Sequence, residues 1–268
     1  MEKHNLNIER MARDIRNQFK IESYGIRDIF GLVEKMDIYL IRMPLGRDTV
    51  CGFSTVYEGK KVIVSNSSEI LSREIFTVAH EIGHCVFDLD FEEQKLIVDK
   101  DIDSAPSNYM EKRADIFAGA LLLPEEEIRD YVKYELEKSS SEIIAIDIVR
   151  MQIEFGASFA AIVMKLFKSN MIDAARKNQL FEERDSTTSR KLFRAMNLSN
   201  DLISSTDVMK VPNRYYEYVF SNYENGYVAY EKMVEALKLV GFEIDDMDQP
   251  EIKNEKKEID LEDLLEGF

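Results

Sequence analysis

A chain of 268 residues, 45% of them hydrophobic and set in clear periodic patterns, is long enough to bury a core and is not generally disordered. Its net charge of −16 disfavours direct nucleic-acid binding by the chain as a whole. Two cysteines, Cys51 and Cys85, are too few for a disulfide framework, and the charged N-terminus lacks a signal-peptide core, so a soluble, intracellular protein is expected.

In chain order, residues 8–20 read as an amphipathic helix, with His4 in a frayed end before it. Strand signals follow at 37–42 and 50–65, where Glu58-Gly59 offers a hairpin turn. Asn66-Ser-Ser-Glu69 reads as a capping box that opens a helix over about 67–87. Leu71, Ile75, Val78, Ala79, Ile82 and Val86 make this helix largely apolar, which predicts a buried element. Gly83, inside a helix at a cost of about 1 kcal/mol, predicts something packed closely against it. A charged loop, 88–106, leads to a second helix that runs from Glu111 to just before Pro124.

The two helices carry the most informative residues. His80 and His84 are one helical turn apart on one face, so both imidazoles can bind the same metal ion. Glu81 lies about 100° round the helix, too far to ligate but suited to take a proton from a water beside the metal. A catalytic zinc needs three protein ligands and one open position. Glu111 is the best third ligand, because it shares the inward stripe of Ala114, Phe117, Ala118, Leu121 and Leu122. Asp115, one turn later, can accept the second ring N–H of a ligand histidine and fix its tautomer. Cys85 points off the ligand face and reads as a small buried filler. The pattern predicts one catalytic Zn2+ and a hydrolase that cuts peptides.

Beyond Pro124, residues 125–137 read as a helix. Segments 142–155 and 158–169 form a helix-turn-helix-like pair across Gly156. Residues 142–180 hold five basic and four acidic side chains, so structural support or a substrate dock is favoured over DNA recognition. The polar run 181–188 reads as a boundary before helices at 189–197, 213–223 and 226–240. Tyrosines 215, 216, 218, 223, 227 and 230 crowd the last two, read as core and packing contacts rather than a cofactor box, with a partner-binding face as the alternative. The tail 243–268 carries eleven acids and three lysines, a net −8, and reads as solvated and flexible.

These motifs resemble the ImmA/IrrE family of zinc metallo-endopeptidases, a branch of the gluzincins. The likeness rests on Phe76, Thr77, Ala79, His80, Glu81, Gly83 and His84, then on Glu111, Ala114, Phe117, Ala118, Leu121, Leu122 and Pro124. It extends to the Phe155-Gly156-Ala157-Ser158 turn and covers roughly residues 8–172. The resemblance implies an α+β fold: a mostly helical, zincin-like core with a three- to four-stranded sheet over 1–137. The residues themselves, rather than the resemblance, place a helix-turn-helix-like segment (138–180), an α-helical module (181–242) and the acidic tail after the core that the resemblance implies. The resemblance also implies zinc on His80, His84 and Glu111, Glu81 as general base and Asp115 behind a ligand. The implied partner is a helix-turn-helix transcriptional repressor, cut so as to release mobile-element or stress-response genes. For an oxyanion stabiliser only Tyr109 or a backbone N–H stands as a candidate. The alternative is a non-proteolytic regulator that sequesters a repressor around a structural zinc, although such a site needs no Glu81.

Overall fold

The computed structural model describes residues 2–89, 96–99, 109–187 and 189–243. The chain divides into two compact units, Met1–Tyr216 and Glu217–Phe268. The first unit opens with α1 (Glu2–Gln18), which buries Ile8, Ala12 and Ile15 at helical spacing. The helix starts six residues before the expected position, so the backbone of His4 is helical rather than frayed. A short helix, α2 (Ile29–Lys35), begins where Asp28 accepts a hydrogen bond from the Gly31 N–H.

Three strands follow: β1 (Tyr39–Met43), β2 (Gly52–Tyr57) and β3 (Lys60–Asn66). Glu58 and Gly59 both have positive φ (47° and 73°), the backbone a two-residue hairpin between β2 and β3 requires. β1 runs parallel to β3, with Tyr39 opposite Val62. The metal-motif helix α3 (Leu71–Phe87) lies across β2 and β3. A fourth strand, β4 (Leu96–Asp99), falls within the stretch expected as a charged loop. It pairs antiparallel with β2, Gly52 opposite Asp99, and completes a sheet of order β1-β3-β2-β4. The hairpin edge next to α3 is therefore already paired over Gly52–Thr55.

The expected capping box is absent. α3 starts at Leu71, with Ile70 at the N-cap and no side-chain cap. The side chains of 66–68 are drawn into tertiary bonds instead: Asn66 Oδ1 accepts from Leu45 N at 3.0 Å, and Ser67 Oγ donates to Val208 O at 2.7 Å. A distant segment serves the helix start. Leu71 N donates to Ser204 O, Asp207 N to Ser67 O, and Arg42 and Lys210 exchange both backbone bonds at 2.8 Å. Residues 204–210 thus strap the β1 edge to the foot of α3. Beneath the strap, Arg42 grips the fully buried Glu74 with two bonds of 2.8 Å, and Ser65 Oγ donates to the same carboxylate.

The second motif helix, α4 (Tyr109–Leu122), packs against both α1 and α3. Contact with α3 is close because Gly83 has no side chain. A Cβ there would lie 3.1 Å from Ala114 Cα and 3.1 Å from Phe117 Cδ1. α5 (Glu125–Asp130) passes into a π-helical turn at Tyr131–Glu135, which ends the helix expected to reach 137.

The helix-turn-helix-like pair is α6 (Ala145–Phe155) and α7 (Phe159–Lys168), joined through Gly156 at φ +64° and capped by Ser158. Ile148, Met151, Phe155, Phe159, Ile162 and Leu166 enter the same hydrophobic core as Val78, Ile82, Phe117 and Leu121. The pair thus shares one core with the two motif helices, α3 and α4. α8 (Ala174–Thr187) takes in most of the polar run expected to be a boundary and adds Leu180 to that core, and α9 (Ser189–Ala195) follows.

α10 (Asn213–Glu224) begins in the first unit and enters the second, where α11 (Tyr230–Leu239) buries Met233 and Leu237. No residue of α10 is buried, so its tyrosines are not core. Tyr218 and, after it, Tyr227 are exposed, while the Tyr223 and Tyr230 rings meet edge to face at 5.8 Å. All of the acidic tail after Glu243 lies outside the described residues. Among the described residues, no helix is long and apolar enough to cross a membrane.

Candidate metal centre

α3 sets both imidazoles against α4. His80 Nε2 lies 3.0 Å from His84 Nε2 and 3.2 Å from Glu111 Oε2; His84 Nε2 lies 3.5 Å from the same oxygen. The far side of each ring faces a carboxylate. His80 Nδ1 is 2.9 Å from Asp115 Oδ1, and His84 Nδ1 is 2.8 Å from Asp88 Oδ2. An ionised carboxylate can only accept, so each Nδ1 carries a proton, and a ring protonated there alone presents a lone pair at Nε2. Two nitrogen lone pairs and a carboxylate oxygen therefore converge on one point. Such a set repels itself unless a cation or extra protons sit among the three atoms. The donors, two imidazoles and one carboxylate, fit a metal ion with an open position.

Burial is uneven around the centre. His80, His84 and Glu81 are buried, whereas the Glu111 and Asp115 side chains are 20% and 28% exposed. Glu81 lies on the face of α3 that meets β2. A Cβ at Gly52 would lie 2.5 Å from Thr77 Cγ2 and 3.8 Å from Glu81 Cγ, so only glycine lets the strand approach here. Tyr109, the first residue of α4, is exposed beside Glu111, and its ring centroid is 5.2 Å from the Arg113 guanidinium carbon.

Asp88 is a site residue that sequence reasoning missed. It is the C-cap of α3 and one turn beyond His84, a spacing that repeats the His80–His84 step and was the available signal. Burial pushes its carboxyl up. The hydrogen bond from His84 and the Arg113 guanidinium outweigh that and hold it below the usual carboxylate range. Arg113 donates to Asp88 Oδ1 and to Phe87 O, and stacks 4.9 Å from the Phe87 ring centroid. Cys85 faces the core, where burial and the Glu81 charge push its thiol up to about 12. It stays protonated there, a poor state for metal ligation.

A comparison with curated proteins finds no match. The family model described as the IrrE N-terminal-like domain, Peptidase M78, matches residues 33–167, half of the chain and all of the metal centre, and the chain belongs to that peptidase family.

Proposed function

We propose that this chain is a zinc-dependent endopeptidase acting in the cytoplasm on one partner protein, a helix-turn-helix transcriptional repressor, whose cleavage derepresses mobile-element or stress-response genes. The observation that carries the reading is the convergence of His80 Nε2, His84 Nε2 and Glu111 Oε2, with both outer ring nitrogens tied to carboxylates. Membership of a peptidase family supports it.

His80, His84 and Glu111 would hold the ion. The chemistry such an ion supplies is Lewis acidity, which polarises a scissile carbonyl and makes a nearby water more acidic. Glu81 accepts one proton from the attacking water and returns it to the departing amine, as a general base and then a general acid. Asp115 and Asp88 keep Nδ1–H as the tautomer on the two histidines, so that Nε2 stays available.

The test is incubation of the purified protein with a repressor encoded beside its gene, with and without a chelator. One defined cut, lost on chelation, is expected. An intact repressor after incubation with metal-loaded protein, or a cut indifferent to the chelator, overturns the proposal. Glu111→Ala should lose bound metal by elemental analysis.

A further inference from the structure

We infer that Asp88 and Arg113 form a positioning pair for the second histidine, fixing the ring of His84 and tying the end of α3 to α4. The inference rests on the reading of the centre as a zinc site. The two histidines are held differently. Asp115, behind His80, is 28% exposed, whereas Asp88, behind His84, is 3% exposed and charge-compensated by Arg113.

The two oxygens of Asp88 face different partners. Oδ2 accepts from His84 Nδ1, and Oδ1 accepts from Arg113. Arg113 sits two residues after Glu111 on α4, and its planar head reaches the last turn of α3 at Phe87 O. One helix supplies both histidines and the other supplies Glu111, so this contact spans the two halves of the ligand set. Only a guanidinium can make these bonds and lie against the rings of Phe87 and Tyr109 together.

Charge alone would also connect Asp88 to a cation, so position and charge must be separated. Asp88→Ala removes both the negative charge and the acceptor. Asp88→Asn removes the charge but keeps an oxygen that can accept from His84. Its amide N–H2 then turns a donor towards Arg113, so recovery is partial. Arg113→Lys keeps the positive charge and loses the fork.

The experiment is zinc affinity by competition with a chromophoric chelator on the full-length chain. Visible spectra of the cobalt(II)-loaded forms report ligand geometry, and thermal midpoints of the metal-free forms report folding. Asp88→Ala should bind zinc about 10–100-fold more weakly. Asp88→Asn should fall between it and wild type, and Arg113→Lys should weaken binding and alter the cobalt spectrum. If Asp88→Asn and Asp88→Ala lose affinity equally, charge alone acts and the positioning role is wrong. Wild-type affinity in folded Asp88→Ala or Arg113→Lys also overturns it. Should Asp88→Ala fail to fold, Asp88→Asn and Arg113→Lys decide on affinity and spectrum. Absence of zinc binding by wild type itself would instead remove the metal-centre reading on which the pair depends.

Discussion

Replacing Glu74 by leucine should destabilise the first unit far more than a surface change would. Glu74 has no exposed side-chain surface, and its partner Arg42 is 11% exposed. The carboxylate accepts two bonds from Arg42 and one from Ser65, each 2.8 Å long. Removing one member of such a buried pair leaves the other charge uncompensated, a loss of about 3–5 kcal/mol. For a unit of this size, that corresponds to a fall in melting temperature of about 6–20 °C. The double variant Arg42→Met/Glu74→Leu leaves no orphaned charge. It still strands the buried Ser65 hydroxyl, which costs about 1–3 kcal/mol. The double variant should therefore be more stable than Glu74→Leu alone. The assay is urea and thermal unfolding of wild type, both single variants and the double. A Glu74→Leu loss below about 1 kcal/mol would show that Arg42 is not left with an uncompensated charge, and a double variant whose loss equals the sum of the singles would show that the two side chains are not coupled.

Gly83→Ala gains about 1 kcal/mol of helix propensity but presses a methyl group to 3.1 Å from Ala114 Cα, backbone that cannot rotate aside. Overpacking costs about 1–3 kcal/mol, so the variant should be no more stable than wild type and should bind zinc more weakly; a more stable variant with unchanged affinity would contradict this. Burial lowers the Lys165 pKa below its ordinary 10.5, with Glu125 and Glu9 opposing. The unfolded chain then binds more protons, and stability due to this group rises with pH between the folded value and 10.5. Lys165→Met should remove that slope, seen by comparing unfolding free energies of the two proteins across pH 8–11 (about the Lys range). Cys51 and Cys85 are both buried and the Cys85 thiol is pushed up to about 12, so a thiol reagent at neutral pH should label neither until denaturant is added. Rapid labelling of Cys85 in the native protein would argue against the packing of α3.

What the chain reveals before folding is mostly what is local. His80, Glu81 and His84 are legible because helical spacing alone decides which face each takes. The inward phase of Glu111 and Asp115 is legible from the apolar stripe they share, and the β2–β3 turn from Glu58-Gly59. What escapes reading depends on distant partners. Asn66 and Ser67 have the residue types of a cap, but tertiary bonds to residues 45–50 and 208 claim their side chains. The strap at 204–210 pairs through backbone atoms with segments far away in sequence, and such pairing leaves no compositional trace. Strand β4 is only four residues long inside a charged stretch. Asp88 had the right spacing, but its role needs Arg113, whose approach only the α3–α4 packing determines.

The central claim is that Glu81 moves the proton in a reaction that His80, His84 and Glu111 make possible. It is tested most directly by the rate of repressor cleavage by wild type and Glu81→Gln, each loaded with zinc to the same measured stoichiometry. At that equal loading, the rate should be lower by about 10²–10⁴ in the variant. A Glu81→Gln protein that holds the same zinc and cuts at the wild-type rate would contradict it.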